Sequence, residues 1–265
     1  FELLTLDLGG NTDTLHIDGT HDTRTKINGA DGDDTFNIEA ISGNTTIFGD
    51  SVATNPGATG YSDTFLVNFD ENGMQTNRNG IVGELTLQGR RGSDTYKIGL
   101  AGQGAAVINV LDESAGDSFG IDTLEVLGTN ADEYFLVRAN IDRTLGMIAA
   151  IQTDQNGDPV PGGTIERINY DGDINGGVTI RGRDGDDTFI LDDNLASMVI
   201  DGDAGDDKFQ IGQVFQSPRD GTNPNNGLGS EDYFETTPIT KGYLSNGISH
   251  STTINGGFGE DDFTV

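Results

Sequence analysis

Ile180-Arg-Gly-Arg-Asp-Gly-Asp-Asp-Thr-Phe-Ile-Leu191 and, starting 20 residues further on, Ile200-Asp-Gly-Asp-Ala-Gly-Asp-Asp-Lys-Phe-Gln-Ile211 are two copies of one pattern. Each places Gly-x-x-Gly-x-Asp between apolar residues that alternate with polar ones. Ile27-Asn-Gly-Ala-Asp-Gly-Asp-Asp-Thr-Phe-Asn-Ile38, Leu87-Gln-Gly-Arg-Arg-Gly-Ser-Asp-Thr-Tyr-Lys-Ile98 and Ile254-Asn-Gly-Gly-Phe-Gly-Glu-Asp-Asp-Phe-Thr-Val265 repeat it. Alternation over a few residues, bounded by Gly, Asn and Asp, is a strand signal. The unit therefore reads strand, acidic turn, strand. A short second turn, such as Ile41-Ser-Gly-Asn44, leads back. Gly9, Gly29 and Gly49 set a period of 20, and Asn109 stands where the ladder would continue after Gly89. No stretch carries a capped helical period, so almost no helix is expected.

Recurrence at a fixed period marks a stacked-repeat architecture in which each unit touches only its neighbours. The expected fold is all-β: a parallel β-roll or β-helix solenoid of about 20-residue coils, with residues 1–265 forming one solenoid fragment. Phe36, Phe65, Tyr96, Phe189, Phe209 and Phe263 hold one repeat position and are expected to stack inward. Ile27, Ile47, Leu87, Ile108, Ile180, Ile200 and Ile254 are expected to form the facing ladder. Insertions interrupt the rhythm at about 51–62, 138–166 and 214–251. The second, with strand-like Thr144–Thr153 and the turn Gln155-Asn-Gly-Asp-Pro159, reads as a hairpin leaving the solenoid. The third is too long for an ordinary loop and reads as a packed cover or a binding surface. The chain opens in a strand, Phe1–Leu8, and closes on one, Asp262–Val265, which suggests a fragment of a longer protein.

Acidic residues number 44 against 14 Lys and Arg, a formal charge of −30. Such an excess argues against nucleic acid, whose phosphates need cations, and against anionic membrane surfaces. No apolar run reaches the roughly 18 residues of a membrane span, so insertion is not expected. The excess favours divalent cations, without which the carboxylates repel one another. Cysteine is absent, which removes thiol chemistry. His16, His21 and His250 lack metal-site spacing, no Gly-x-Ser-x-Gly elbow occurs, and carboxylate pairs are too common here to indicate glycosidase chemistry. The chain is not expected to be an enzyme. Arg138, Arg143 and Arg167, near Tyr134 and Tyr170, read as neutralising neighbouring acids rather than lining a sugar-binding face.

Calcium takes six to eight hard oxygen ligands, many of them backbone carbonyls. A turn that turns its carbonyls inward needs φ angles cheap only for glycine, which would account for Gly29 and Gly32, Gly182 and Gly185, Gly202 and Gly205, and Gly256 and Gly259. The acid six places into each turn, Asp34, Asp94, Asp187, Asp207 or Asp261, can then point at a cation. These stretches resemble the nonapeptide Gly-Gly-x-Gly-x-Asp-x-apolar-x of the RTX, or haemolysin-type calcium-binding, repeat family. Gly256–Thr264 matches at every defined position, while Gly29–Asn37, Gly182–Ile190 and Gly202–Gln210 miss only the second. The resemblance implies a parallel β-roll with calcium between successive turns, held by the aspartates and by carbonyls of the first and third residues. Carried over, this points to Gly29, Asp31 and Asp34; Gly182, Asp184 and Asp187; Gly202, Ala204 and Asp207; and Gly256 and Asp261.

The chain also departs from that pattern. Plain second turns such as Ile41–Asn44 predict calcium turns on one edge only. Gly128–Leu136 has Ala131 and Glu133 where glycine and aspartate belong. Arg90 and Arg91 beside Asp94 offer a cation in place of calcium, and the turn before Asp13 is one residue short. Separately, Asp171-Gly-Asp-Ile-Asn-Gly176 fits the first half of an EF-hand loop, with Asp171, Asp173 and Asn175 as oxygen ligands, but Gly182 replaces its bidentate glutamate. The plainer reading is an ordinary Asp/Asn/Gly loop.

The resemblance implies a calcium-binding structural module of a large secreted bacterial protein, of the adhesin, biofilm-matrix or surface-layer kind, exported by type I secretion and located at the cell surface. Calcium is the implied cofactor. Self-association and a cell-surface glycan or protein are the partners it suggests. The alternatives are an accessory repeat module of a secreted protease, lipase or epimerase, and a β-helix polysaccharide-active enzyme.

Overall fold

The structure is a computed structural model that describes residues 2–51, 60–102, 104–112, 120–140, 143–155, 157, 159–212 and 247–265, together with two strands within 236–245. The insertions expected at 51–62 and 214–251 lie largely outside the described residues. Among the described residues, twenty-one strands follow in order: β1 (Leu3–Gly10), β2 (Thr14–Ile17), β3 (Arg24–Asp31), β4 (Thr35–Ile38), β5 (Thr45–Asp50), β6 (Thr64–Val67), β7 (Glu84–Gln88), β8 (Thr95–Gly99), β9 (Val107–Val110), β10 (Thr123–Leu127), β11 (Tyr134–Ala139), β12 (Gly146–Ile151), β13 (Ile165–Tyr170), β14 (Gly177–Asp184), β15 (Thr188–Leu191), β16 (Met198–Ala204), β17 (Lys208–Ile211), β18 (Thr236–Ile239), β19 (Gly242–Ser245), β20 (Thr252–Asn255) and β21 (Asp262–Thr264). Among the described residues there is no helix.

The strands form two large sheets. The 11-stranded sheet runs β1-β3-β5-β7-β9-β13-β12-β11-β15-β17-β21, and the 8-stranded sheet β2-β4-β6-β8-β10-β14-β16-β20. Pairing is parallel except at β11–β12 and β12–β13, which are antiparallel. β18 and β19 form a separate antiparallel pair. Alternation places apolar residues of both sheets in one shared core. Val178, Ile180 and Gly182 of β14 are buried while Thr179 and Arg181 are not.

The expected hairpin does not leave the body. β11, β12 and β13 are built into the larger sheet between β9 and β15. This meander has a consequence for every ladder. Up to Asp122 the acidic turn joins the larger sheet to the smaller; from Asp187 onward it joins the smaller to the larger, and the Glu133 and Asn175 corners flank the meander. The aromatic column therefore splits. Phe36, Phe65 and Tyr96 stack in the smaller sheet, with centroids 5.1 and 4.9 Å apart. Phe135, Phe189, Phe209 and Phe263 stack in the larger, 4.8 to 5.0 Å apart. The aliphatic ladder divides likewise: Ile27, Ile47, Leu87 and Ile108 in the larger sheet, Ile180, Ile200 and Ile254 in the smaller. Ile108 also pairs with Leu85, not Leu87, whose partner is Val110. A second apolar cluster, Leu136, Met147, Ala149 and Ile190, lies apart from the main core.

Candidate metal centre

The corner acids form two ladders. In the first, the backbone N–H of Asp13 donates to Asp34 Oδ1, that of Asp34 to Asp63, of Asp63 to Asp94, of Asp94 to Asp122, and of Asp122 to Asn175 Oδ1, at 2.7 to 3.1 Å. In the second, Glu133 donates to Asp187, Asp187 to Asp207 and Asp207 to Asp261, at 2.8 to 3.1 Å. The first ladder follows the C-terminal ends of strands in the larger sheet, and the second precedes their N-terminal ends. Acidic corners thus occupy both edges, not one, because the meander changes which connection carries the repeat.

A second set of bonds runs the opposite way. Asp186 N donates back to Asp132 Oδ1, Asp206 N to Asp186 Oδ1, and Glu260 N to Asp206 Oδ1, at 2.8 to 2.9 Å. Ser62 N does the same to Asp33 Oδ1 at 2.9 Å. Each corner is stitched to the coil on either side.

The inner carboxylates spend one oxygen and leave the other. Oδ2 of Asp34, Asp63, Asp94, Asp187 and Asp207 is buried without a hydrogen-bond partner. Each lies over the glycine that opens its turn: a Cβ on Gly29, Gly49, Gly89, Gly182 or Gly202 would collide with it, and Gly256 is blocked likewise by Asp261. The carbonyl oxygen of the next coil's glycine converges on the same spot. Gly49 O would be 2.6 Å from a Cβ on Gly29, and Gly202 O 2.8 Å from one on Gly182. An orphaned carboxylate oxygen beside a carbonyl oxygen, with no donor bonded to the former, is a donor set suited to a hard cation. These residues fit calcium.

This geometry corrects the reason for the first glycine. Gly29, Gly182, Gly202 and Gly256 do not adopt positive φ; they are glycines because the carboxylate takes the space of a side chain. The left-handed conformation falls instead on the second and fourth residues. Ala30 (φ 87°), Arg183 (87°) and Asp203 (67°) occupy it without being glycine, followed by Gly32, Gly185 and Gly205.

Burial dominates the protonation of these acids. It pushes Asp63 up to about 8, helped by Asp50, Asp34 and Asp33, against the opposing Asp34 N–H. It pushes Asp94 to about 8 and Asp187 to about 9, the latter reinforced by Glu133, Asp207 and Asp132. Asp207 rises to about 6 and Asp34 is also raised, again by burial first. Loss of hydration disfavours the charged form in each case.

Other expected ligands are placed differently. Asp31 and Asp184 are exposed. The carbonyls of Asp31 and Ala204 accept the N–H groups of Asn11 and Gly185, at 2.6 and 3.0 Å. Glu133 takes an aspartate's place in the ladder, but its extra methylene carries the carboxylate onto Thr129, whose N–H and hydroxyl satisfy both oxygens. Arg90 lays its guanidinium on Phe48 and donates to the Asp50 carbonyl, so Asp94 keeps its orphaned oxygen. The EF-hand-like stretch is the last corner of the first ladder. Asp171 Oδ1 accepts the Asp173 N–H, and Asn175 both accepts from Asp122 N and donates to Gly120 O. Arg138 and Arg143 pair with Asp192 and Asp193.

Asp63, Asp112 and Asp122 are buried corner acids that the Gly-x-x-Gly-x-Asp pattern does not mark. The insertion after Gly49 separates Asp63 from its glycine, but Asp63-Thr-Phe65 repeats Asp34-Thr-Phe36, and Asp122-Thr-Leu124 nearly does. The motif after the turn was the more durable signal. Comparisons of the chain with family models, curated proteins and solved structures gave no match, so the functional reading rests on the corners themselves.

Proposed function

We propose that the chain is a non-catalytic, calcium-binding structural module with an RTX-like parallel β-roll, its coils winding as a solenoid and its acidic corners binding calcium in two rows. The observation that carries this reading is the series of buried Oδ2 atoms on Asp34, Asp63, Asp94, Asp187 and Asp207 that lack a hydrogen-bond partner. A buried polar group without a partner costs about 1–3 kcal/mol, and more when charged. Repeating that cost at successive corners of a chain of charge −30 calls for a compensating cation.

The residues that would hold the ion are the corner aspartates with carbonyls of the turn-opening glycines. Calcium would supply charge neutralisation and cross-link neighbouring coils. An ion that binds only the folded chain draws folding forward by mass action. That logic suits a protein exported extended through a type I channel into roughly millimolar extracellular calcium, and so a surface or matrix protein of a bacterium.

Far-ultraviolet circular dichroism and thermal melting of the 265-residue chain test this. Calcium is expected to raise the β signal and the melting temperature well above values in excess chelator, with little gain from magnesium. Equal melting in calcium and chelator would show that the corners fold as metal-free turns.

A further inference from the structure

Asp112 breaks the repeat where the preceding coils keep a glycine. Leu87 pairs with Val110 and Leu111 N donates to Leu87 O, which sets Asp112 opposite Gly89. At Gly29, Gly49 and Gly89 the missing side chain leaves room for the corner carboxylate. At position 112 that room holds a second carboxylate, and Asp122, the acid of the same corner, faces it. One oxygen each from Asp94, Asp112 and Asp122 lies within 4.8 Å of the other two. The residues are 0, 1 and 5% exposed.

The cluster is built and incompletely satisfied. Asp112 Oδ1 accepts the Arg90 N–H and, at 3.1 Å, the Tyr96 hydroxyl, whose oxygen accepts the Gly89 N–H. Asp94 Oδ1 and Asp122 Oδ1 accept their ladder N–H groups. No donor group reaches Oδ2 of Asp94 or of Asp112, both almost wholly buried, and the Asp112 and Asp122 carboxyl groups lie close enough to share a proton when no cation is bound. Asp173 adds a further negative charge near Asp122.

We propose that Asp94, Asp112 and Asp122 form a three-carboxylate site for one hard divalent cation, calcium by size, distinct from the repeating corners. Oxygens that share one calcium ion lie at most about 5 Å apart, a limit the three carboxylate oxygens meet. Three carboxylates beside one ion should bind more tightly than a corner offering one carboxylate and carbonyls, because affinity follows ligand charge. The site shares Asp94 with the corner reading but turns on Asp112, which the repeat does not supply.

Isothermal titration of the chelator-stripped chain with calcium alone tests it. Wild type is expected to show one step at least tenfold tighter than the rest. Asp112→Asn and Asp112→Gly should lose that step, while Asp207→Asn keeps it. Asp112→Gly restores the glycine of the other coils, and its circular dichroism establishes that it folds. A folded Asp112→Gly with wild-type stoichiometry and affinity overturns this site. If that variant loses nothing while Asp207→Asn loses an equivalent, the site fails and the corner reading stands; loss only at Asp112 retains the site and removes the corners. A wild type that binds no calcium overturns both.

Discussion

Gly182 has no room for a methyl group. A Cβ there meets Asp187 Oδ2 and the Gly202 carbonyl, so Gly182→Ala should cost about 1–3 kcal/mol, the range for overpacking. Ala30 is the opposite case. It holds φ 87° with a side chain, and Ala30→Gly should stabilise by up to about 1 kcal/mol, relief of strain exceeding the added freedom of the unfolded chain. Urea melts of the two variants should move in opposite directions. The carboxylates make a further prediction. Asp63, Asp94 and Asp187 sit near 8, 8 and 9 in the metal-free fold, against about 4 unfolded. Between those values the folded chain holds protons that the unfolded chain has released, so stability falls as pH rises from about 4 to 9. In chelator the melting temperature should drop between pH 5 and pH 9, and Asp187→Asn should flatten part of the slope. At this scale the sequence revealed which residues matter more readily than why. Gly182 was legible as obligatory, but whether a glycine serves an angle or a space depends on a carboxylate folding back from five residues on.

At the scale of strands, the two aromatic columns hold the corners in line. Phe189 lies between Phe135 and Phe209 and is wholly buried. Phe189→Ala should cost about 3–5 kcal/mol, read by chemical denaturation, and Phe189→Leu less. Strands and parallel pairing were legible because alternation and the turn residues point to the same answer. The exchange of edges was not. It follows from β11, β12 and β13 entering the larger sheet, and a stretch such as Gly146–Ile151 looks alike whether it pairs inside a sheet or projects from it. The same limit hid Asp112. Counting placed Asn109 under Gly89, whereas pairing of Leu87 with Val110 moves the register and brings the aspartate to the corner.

For the molecule as a whole, charge opposes compactness. Raising monovalent salt from about 10 to 150 mM shortens the screening length from roughly 30 to 8 Å, so the chelated chain should melt higher in the saltier buffer. Millimolar calcium at matched ionic strength should raise melting further, since a bound ion acts at the carboxylate rather than across solvent. Differential scanning calorimetry with the two salts would separate the contributions. The stitching of corners has one more consequence. Each inner acid takes an N–H from the preceding coil and each outer acid takes one from the following coil, so a coil that opens strips a bond from both neighbours. Loss is then contagious: the chain should fray from its ends inward like a zip, with amide protons of the central corners, Asp94, Asp122 and Glu133, exchanging last and nearly together.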